Sequence, residues 1–307
     1  MSEQHAVAAG QAVLVTGAGS GIGLATVQAL LQAGHPVYAA ARRPTHLQML
    51  QDLGAHALPL DVRDADQVQA AAQHLQHQGL GLWGLVHNAG VGGLGVLTSW
   101  SDTDLHDLFN TNVYGPHRLT RALLPLLLAA RGRVVCIGSQ GGSITSPFMG
   151  PYTMSKHALE AYAACLLQEL TPHGVAVSIV QPGAVATDIG DNGRVANVAR
   201  LQSTAAPFDA AAAAVLQVLH EAPALQSDLP ESNSNRRCAS PQAVAQVVMQ
   251  ALFDPSPQAR YLVGTRWEGD RVVQALTQRL LDAALSPSHQ WTEEEFLAHC
   301  RRAWRDA

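Results

Sequence analysis

A glycine-rich turn near the start of the chain constrains the fold more than any other feature. An apolar run over 12–15 predicts a β-strand, a periodic run over 22–31 predicts an α-helix, and Gly17, Gly21 and Gly23 lie between them. Gly17 permits a sharp turn, Gly21 lets a pyrophosphate approach the backbone, and Gly23 lets the helix pack on the strand. Because the amides at a helix N-terminus bind anions, this turn predicts a dinucleotide site. Its spacing is Gly-x3-Gly-x-Gly rather than Gly-x-Gly-x-x-Gly, and a turn without a ligand is the alternative.

Strand-like and helix-like segments alternate along the rest of the chain. Strands are predicted over 12–15, 37–41, 55–60, 82–87, 132–137, 175–180 and 260–263. Helices are predicted over 22–33, 45–53, 64–76, 102–129, 151–170, 210–220, 271–285 and 293–304, with a further one starting at 240–241. This alternation predicts an α/β fold of the Rossmann type, a doubly wound parallel sheet of about seven strands with helices on both faces.

The end of the second predicted strand bears on the choice of nucleotide. No Asp or Glu occurs between Leu24 and Gln51, so a carboxylate that would hold a ribose 2′-hydroxyl is missing. Arg42 and Arg43 stand at that position, and a guanidinium suits a 2′-phosphate. The sequence therefore favours NADP(H) over NAD(H), with a solvated strand end as the alternative; it does not choose between the two arginines.

Composition and charge disfavour other classes of partner. The net charge of -5, without a basic stripe, argues against nucleic acid. The longest apolar run, 122–130, is too short for a membrane span, and the N-terminus does not resemble a signal peptide, so we expect a cytoplasmic protein. The four cysteines form no CxxC pair and the histidines form no HxxxH pair, so no metal site is expected.

A tyrosine and a lysine form a candidate acid/base pair on one helix. Tyr152 and Lys156 are four residues apart and share a helix face. A nearby ammonium lowers the pKa of a phenol, whose ordinary value is about 10. The spacing therefore predicts a proton-transfer device, although by itself it is also typical of solvated helices.

Several short motifs occur together in a fixed order. They are Thr16-Gly17-x3-Gly21-x-Gly23, Asn88-Ala89-Gly90, Asn112, Ser139, Tyr152-x3-Lys156 and Pro182-Gly183-x3-Thr187. In this order and spacing they resemble the short-chain dehydrogenase/reductase family over residues 10–265. The segment Tyr261-Leu262-Val263-Gly264, together with the arginine pair, is similar to the retinol and hydroxysteroid dehydrogenase subgroup.

The resemblance implies a catalytic role for four residues. Tyr152 would be the general acid in carbonyl reduction and the general base in alcohol oxidation, with Ser139 orienting the substrate oxygen. Lys156 would bind the nicotinamide ribose and lower the pKa of Tyr152, and Asn112 would position a water that relays protons to Lys156. A catalytically inactive, NADP(H)-binding sensor or scaffold with the same fold is the alternative function.

The resemblance also implies a set of cofactor-binding residues. They are Gly17, Ser20, Gly21, Ile22, Gly23, Arg42, Asp61, Val62, Asn88, Gly90, Tyr152, Lys156, Pro182, Gly183 and Thr187. Within this set, residues 20–22 would lie at the pyrophosphate, Asp61 and Val62 at the adenine, and Asn88 and Gly90 at the adenosine ribose. Residues 182, 183 and 187 would flank the nicotinamide. The chain departs from many relatives at His87, where they carry asparagine, and at Ser20, where some NADP(H)-preferring relatives carry a basic residue.

The remaining expectations concern domain layout, substrate and assembly. We expect a catalytic domain over 10–265 with a substrate-covering insert at 188–240, and a C-terminal helical extension over 266–307. The similarity to the retinol and hydroxysteroid dehydrogenase subgroup implies a small-molecule carbonyl or alcohol substrate of apolar character. Ile144, Phe148 and Met149 are candidates for the pocket lining, with an ordinary packed loop as the alternative. Relatives commonly pair through helices that flank the sheet, so the resemblance implies a homo-oligomer, a dimer or a tetramer.

Overall fold

Seven strands form one sheet in which every neighbouring pair is parallel. The structure, a computed structural model, describes residues 11–78, 81–187, 193–221, 225–232 and 237–306. The strands are β1 (Val13–Thr16), β2 (Val37–Ala41), β3 (His56–Pro59), β4 (Gly84–His87), β5 (Arg133–Ile137), β6 (Ala176–Pro182) and β7 (Arg260–Val263). Their order is β3-β2-β1-β4-β5-β6-β7, which confirms the predicted doubly wound parallel sheet.

Helices pack on both faces of the sheet. They are α1 (Gly21–Gln32), α2 (Pro44–Asp52), α3 (Ala65–Gln78), α4 (Asp102–Phe109), α5 (Gly115–Ala130), α6 (Gly150–Leu170), α7 (Arg194–Gln202), α8 (Asp209–Glu221), α9 (Pro241–Phe253), α10 (Arg266–Ala284) and α11 (Glu293–Asp306). One buried cluster joins the sheet to α3, α5 and α6, and a second joins it to α1 and α9. Because the strands are apolar on both faces, each face has its own core.

The predicted helix over 102–129 is wrong in one respect, because it is two helices. A π-helical turn, Asn110–Tyr114, separates α4 from α5. Pro116 has no backbone N–H and cannot donate to the carbonyl of Asn112, which favours the irregular turn. The turn directs the Asn112 side chain inward, where it is buried.

The other predicted elements within the described residues occur with small shifts at their ends. The largest shift is at the start of α10, predicted at residue 271 and observed at Arg266. Thr265 and Glu268 form a capping box there, which begins the helix earlier than its apolar periodicity indicates. The insert over 188–240 lies partly outside the described residues, at 188–192, 222–224 and 233–236. Across the described part of the chain, each helix is too short or too polar to cross a bilayer.

The strand order reverses between β1 and β4, and the chain leaves these strands on opposite sides of the sheet. Such a reversal opens a crevice at the carboxyl edge, where ligands bind in this kind of fold. The Thr16 hydroxyl holds the two strands together there, since it donates to the Val86 carbonyl at 3.1 Å and accepts from the Asn88 amide at 3.0 Å. The fold therefore places the glycine turn and the Asn88 segment on one cleft.

Candidate functional site

A single cleft at the carboxyl edge of the sheet brings together most of the residues predicted from sequence. Its lining includes Gly17, Ser20, Gly21, Ile22, Arg42, Asp61, Val62, Asn88, Gly90, Ser139, Tyr152, Lys156, Pro182, Gly183 and Thr187. The two predicted residues outside this lining are Gly23, which packs beneath the turn, and Asn112, which is buried behind Gly90.

The glycine turn is held by backbone geometry and by one asparagine. Gly17 and Gly21 have φ values of 63° and 54°, which favour glycine, and a Cβ on Gly23 would lie 2.3 Å from the Gly17 carbonyl oxygen. The Asn88 side-chain amide donates to the carbonyls of Thr16 and Gly17 at 2.9 and 3.0 Å. In this structure Asn88 therefore braces the turn, in addition to lining the cleft.

A charged group of side chains lies at the end of the cleft next to β2 and β3. Asp61 pairs with Arg63 at 2.7 Å and with Arg42 at 3.6 Å. Hydrogen bonding from Arg63, aided by the charge of Arg42, lowers the pKa of Asp61 to about 2. Because Arg63 makes the short contacts to Asp61 and Arg42 is 57% exposed, the Arg42 guanidinium is accessible from the cleft.

Sequence reasoning missed His46, which lines the same end of the cleft. Its ring lies so close to Gly19 that a Cβ on that glycine would be 2.0 Å from His46 Nδ1. The available signal was weak, since His46 follows the arginine pair by one helical turn but belongs to none of the recognised motifs. Some relatives carry a basic residue where this chain has Ser20. In this chain the His46 imidazole lies beside the neighbouring Gly19 and lines the same cleft as Ser20.

The other end of the cleft carries a hydroxyl pair. Ser139 follows β5, and its Oγ accepts from the Gly141 amide at 3.0 Å. Tyr152 lies in the first turn of α6, and a Cβ on Gly141 would lie 3.3 Å from Ser139 Oγ and 3.5 Å from Tyr152 Cε1, so the two side chains face the same space. Burial raises the pKa of Tyr152, and the neighbouring Ser139 hydroxyl acts in the opposite direction. The raised pKa keeps the phenol protonated at neutral pH, and the role of Lys156 in lowering that pKa stays a prediction.

Lys156 is the only lysine in the chain, and it is buried. Its Nζ donates to the Ile137 carbonyl at 2.9 Å and lies 5.8 Å from the centroid of the Tyr152 ring. Burial lowers the pKa of Lys156 to about 8, and the Glu160 carboxylate acts in the opposite direction. The ammonium is therefore fixed beside the tyrosine without contacting the hydroxyl.

Asn112 is fixed by three hydrogen bonds. Its amide exchanges bonds of 2.9 Å with the Val91 backbone and donates to Ser155 Oγ at 3.0 Å. A Cβ on Gly90 would lie 3.5 Å from Asn112 Oδ1 and 3.8 Å from Lys156 Nζ. The two polar side chains thus approach the same side of Gly90.

The segment after β6 closes the cleft opposite the tyrosine. Pro182 ends β6, and the Gly183 amide donates to the Val263 carbonyl at 2.8 Å. Thr187 contacts the glycine turn, because a Cβ on Gly21 would lie 3.0 Å from its methyl carbon. Residues predicted for the pyrophosphate and for the nicotinamide therefore face one another.

His87 is buried at the end of β4, at a position where many relatives carry asparagine. Its Nε2 lies 2.7 Å from Thr120 Oγ1. Burial lowers its pKa from 6.5 to about 3, so the native state keeps the ring neutral in a range where the unfolded chain binds a proton. Its contribution to stability is present above pH 6.5 and is lost as the pH falls toward 3.

We expect His87→Asn, which cannot titrate, to flatten the dependence of the free energy of unfolding on pH between about 6.5 and 4, by up to about 1.4 kcal/mol per pH unit. Urea titrations at several pH values measure this slope. His74→Asn on the exposed face of α3 is the matched control. An unchanged slope in His87→Asn contradicts the assignment of a buried neutral ring.

Comparison with known proteins places the cleft in context. A model of the family described as short chain dehydrogenase matches residues 11–197, which include every cleft residue named above. The chain is 31% identical over 281 residues to the oxidoreductase YbbO of Escherichia coli, across 90% of this chain and 94% of that one. It is 38% identical over 198 residues to mouse retinol dehydrogenase 5, across 62% and 60% of the two chains. A short-chain dehydrogenase from Streptomyces avermitilis superimposes with a TM-score of 0.71 at 30% identity, across 90% and 95%.

Proposed function

This chain belongs to the short-chain dehydrogenase/reductase family of oxidoreductases, and from that premise we propose that it interconverts an alcohol and a ketone or aldehyde with NADP(H) as cofactor. The observation that carries the proposal is that Ser139, Tyr152 and Lys156 line the same cleft as the glycine turn. That arrangement supplies a proton donor and an orienting hydroxyl beside a nucleotide-binding edge.

The proposed mechanism gives a role to each of the four polar side chains Ser139, Tyr152, Lys156 and Asn112. When bound, NADP(H) supplies or accepts the hydride. In reduction, Tyr152 donates its proton to the substrate oxygen, while Ser139 hydrogen-bonds that oxygen and holds it near the phenol. The Lys156 ammonium beside the ring stabilises the phenolate that forms and binds the nicotinamide ribose. Asn112 orients the water that reprotonates the Tyr152–Lys156 pair.

The cofactor preference rests on the cationic end of the cleft. Arg42 is exposed there, and Asp61, which pairs with it at 3.6 Å, is engaged more closely by Arg63 at 2.7 Å. Within the described ranges Asp61 at 3.6 Å is the ion-pair partner of Arg42, and an exposed guanidinium held this loosely suits the adenosine 2′-phosphate, while the His46 ring beside Gly19 adds a hydrogen-bond donor.

Arg42→Asp is expected to move the preference toward NADH. Replacing a charge-assisted contact by a repulsive one should lower the NADPH-to-NADH ratio of kcat/KM about 100-fold. The ratio of Kd values for 2′,5′-ADP and AMP tests the same contact without turnover. Arg43 lines the same end of the cleft, so Arg43→Asp is measured in parallel, and a larger change in that variant than in Arg42→Asp assigns the contact to Arg43. Equal ratios in Arg42→Asp and the wild type contradict the contact.

The proposed substrate is a small apolar carbonyl or alcohol compound, covered by the insert over 188–240. The described part of the insert supports this covering role. On α7, Asn197 Oδ1 accepts from the Leu94 amide at 2.9 Å and Arg200 donates to the Leu94 carbonyl at 2.8 Å, while the Arg200 guanidinium lies 3.6 Å from the centroid of the Trp100 ring. Since Val91 lines the cleft, these contacts attach α7 to the loop that continues its wall.

Three further statements complete the proposal. The chain divides into a catalytic domain over 10–265 and an extension over 266–307, it forms a homo-oligomer, and it is cytoplasmic.

A further inference from the structure

A buried carboxylate at the start of the C-terminal extension contacts the wall of the cleft. Glu268, in the first turn of α10, is 6% exposed. Its Oε2 accepts from the Thr265 amide at 2.9 Å and from Thr265 Oγ1 at 3.2 Å. The first of these bonds forms the capping box together with the Glu268 amide, which donates to Thr265 Oγ1 at 3.3 Å, and both bonds use one carboxylate oxygen.

The second oxygen has a different partner. Glu268 Oε1 accepts from the Ala184 amide at 2.8 Å, across 84 residues of sequence. Ala184 directly follows Gly183, and a Cβ on Gly183 would lie 2.5 Å from Glu268 Oε2. The carboxylate is therefore packed against the backbone that forms the cleft wall at Pro182 and Gly183. Helix capping alone does not require this contact.

The same corner also supports the Ser139 turn. Gln140 Nε2 donates to the Val263 carbonyl at 3.3 Å, and the Gly183 amide donates to that carbonyl as well. The end of β7 and the start of α10 thus connect two walls of the cleft, the one that carries the substrate-orienting hydroxyl and the one at Gly183.

We propose that Glu268 is a positioning residue that fixes the backbone at Gly183 and Ala184, and hence the nicotinamide end of the cleft, from the C-terminal extension. This inference rests on the proposed function, in which the nicotinamide lies against Pro182 and Gly183. The carboxylate forms no ion pair within the described residues, so its charge is held by N–H and O–H donors, of which the Ala184 amide is the only one in the cleft wall. Loss of that acceptor leaves a backbone amide unsatisfied beside the nicotinamide subsite.

Calorimetric titrations with two ligands test the inference. NADPH occupies the whole cleft, whereas 2′,5′-ADP lacks the nicotinamide half. Glu268→Gln keeps the size of the side chain but can no longer accept from both the Thr265 and Ala184 amides. We expect it to weaken NADPH binding about tenfold while the Kd for 2′,5′-ADP stays unchanged.

Two controls separate positioning from helix capping and from net charge. Thr265→Val weakens the capping box but leaves the Ala184 contact. We expect it to lower Tm without changing the ratio of the Kd values for NADPH and 2′,5′-ADP. Asp270→Asn removes a carboxylate that is 70% exposed on the same helix and is expected to behave as the wild type.

The outcomes are distinct. Selective loss of NADPH affinity in Glu268→Gln supports the inference. Unchanged affinities in Glu268→Gln overturn it. An equal loss of affinity for NADPH and for 2′,5′-ADP, accompanied by a lower Tm as in Thr265→Val, also overturns it. A wild-type protein that binds neither ligand overturns the proposed function itself, and the inference with it.

Discussion

Tyr152→Phe is expected to lower kcat about 100- to 10,000-fold, the usual contribution of general acid/base catalysis, while the Kd for NADPH remains close to that of the wild type. The substitution removes the hydroxyl proposed as the proton donor and keeps the ring that lies near Lys156 in the cleft. Steady-state kinetics with NADPH and a panel of ketones and aldehydes measures the loss, and fluorescence titration measures the binding.

Tyr162→Phe on the same helix is the matched control. Tyr162 packs against the buried cluster of α3, α5 and α6 and lies outside the cleft lining, so removal of its hydroxyl is expected to leave kcat nearly unchanged. Near-normal turnover in Tyr152→Phe refutes the acid/base role. An equal loss in both variants attributes the effect to packing of α6 rather than to proton transfer.

Lys156→Ala is expected to weaken NADPH binding about tenfold or more and to lower kcat as well, because it removes both the proposed ribose contact and the cation beside the phenol. Loss of turnover with an unchanged Kd contradicts the ribose contact. Lys156→Arg keeps the charge but not the compact ammonium geometry. Relative to Lys156→Ala, we therefore expect it to recover more of the NADPH affinity than of kcat.

The sequence offers a direct probe of this residue. Because Lys156 is the only lysine, a protein labelled with ¹³C at lysine Cε gives one side-chain resonance for it. Its titration measures the pKa, which the structure lowers to about 8. We expect NADPH to shift this resonance and 2′,5′-ADP to leave it nearly unchanged, since only the former reaches the nicotinamide end.

Local pattern was sufficient to predict the sheet and most of the cleft. The strands are apolar runs whose carboxyl ends meet at one edge in any parallel sheet, so Gly17, Asn88, Ser139 and Pro182 had to converge there. Periodicity could not show the break at Asn110–Tyr114, because both flanking helices keep their apolar spacing and the break depends on a hydrogen bond that Pro116 cannot make.

Contacts between distant segments could not be predicted. The bond from Ala184 to Glu268 spans 84 residues and leaves no periodic signal. The position of His46 over Gly19 depends on how α2 leaves β2, and the pKa of Tyr152 depends on burial, which the four-residue spacing to Lys156 does not reveal. Spacing identified the Tyr152 and Lys156 pair, whereas the raised pKa of Tyr152 follows from how the helix packs.

Transfer of deuterium from NADPH labelled at nicotinamide C4 tests the central claim most directly. With the wild-type protein and a panel of apolar ketones and aldehydes, the account predicts that the label appears on the carbinol carbon of an alcohol product and that Tyr152→Phe forms this product at least about 100-fold more slowly. A protein that binds NADPH tightly but transfers label to no carbonyl in the panel contradicts the account and supports a cofactor-binding sensor instead.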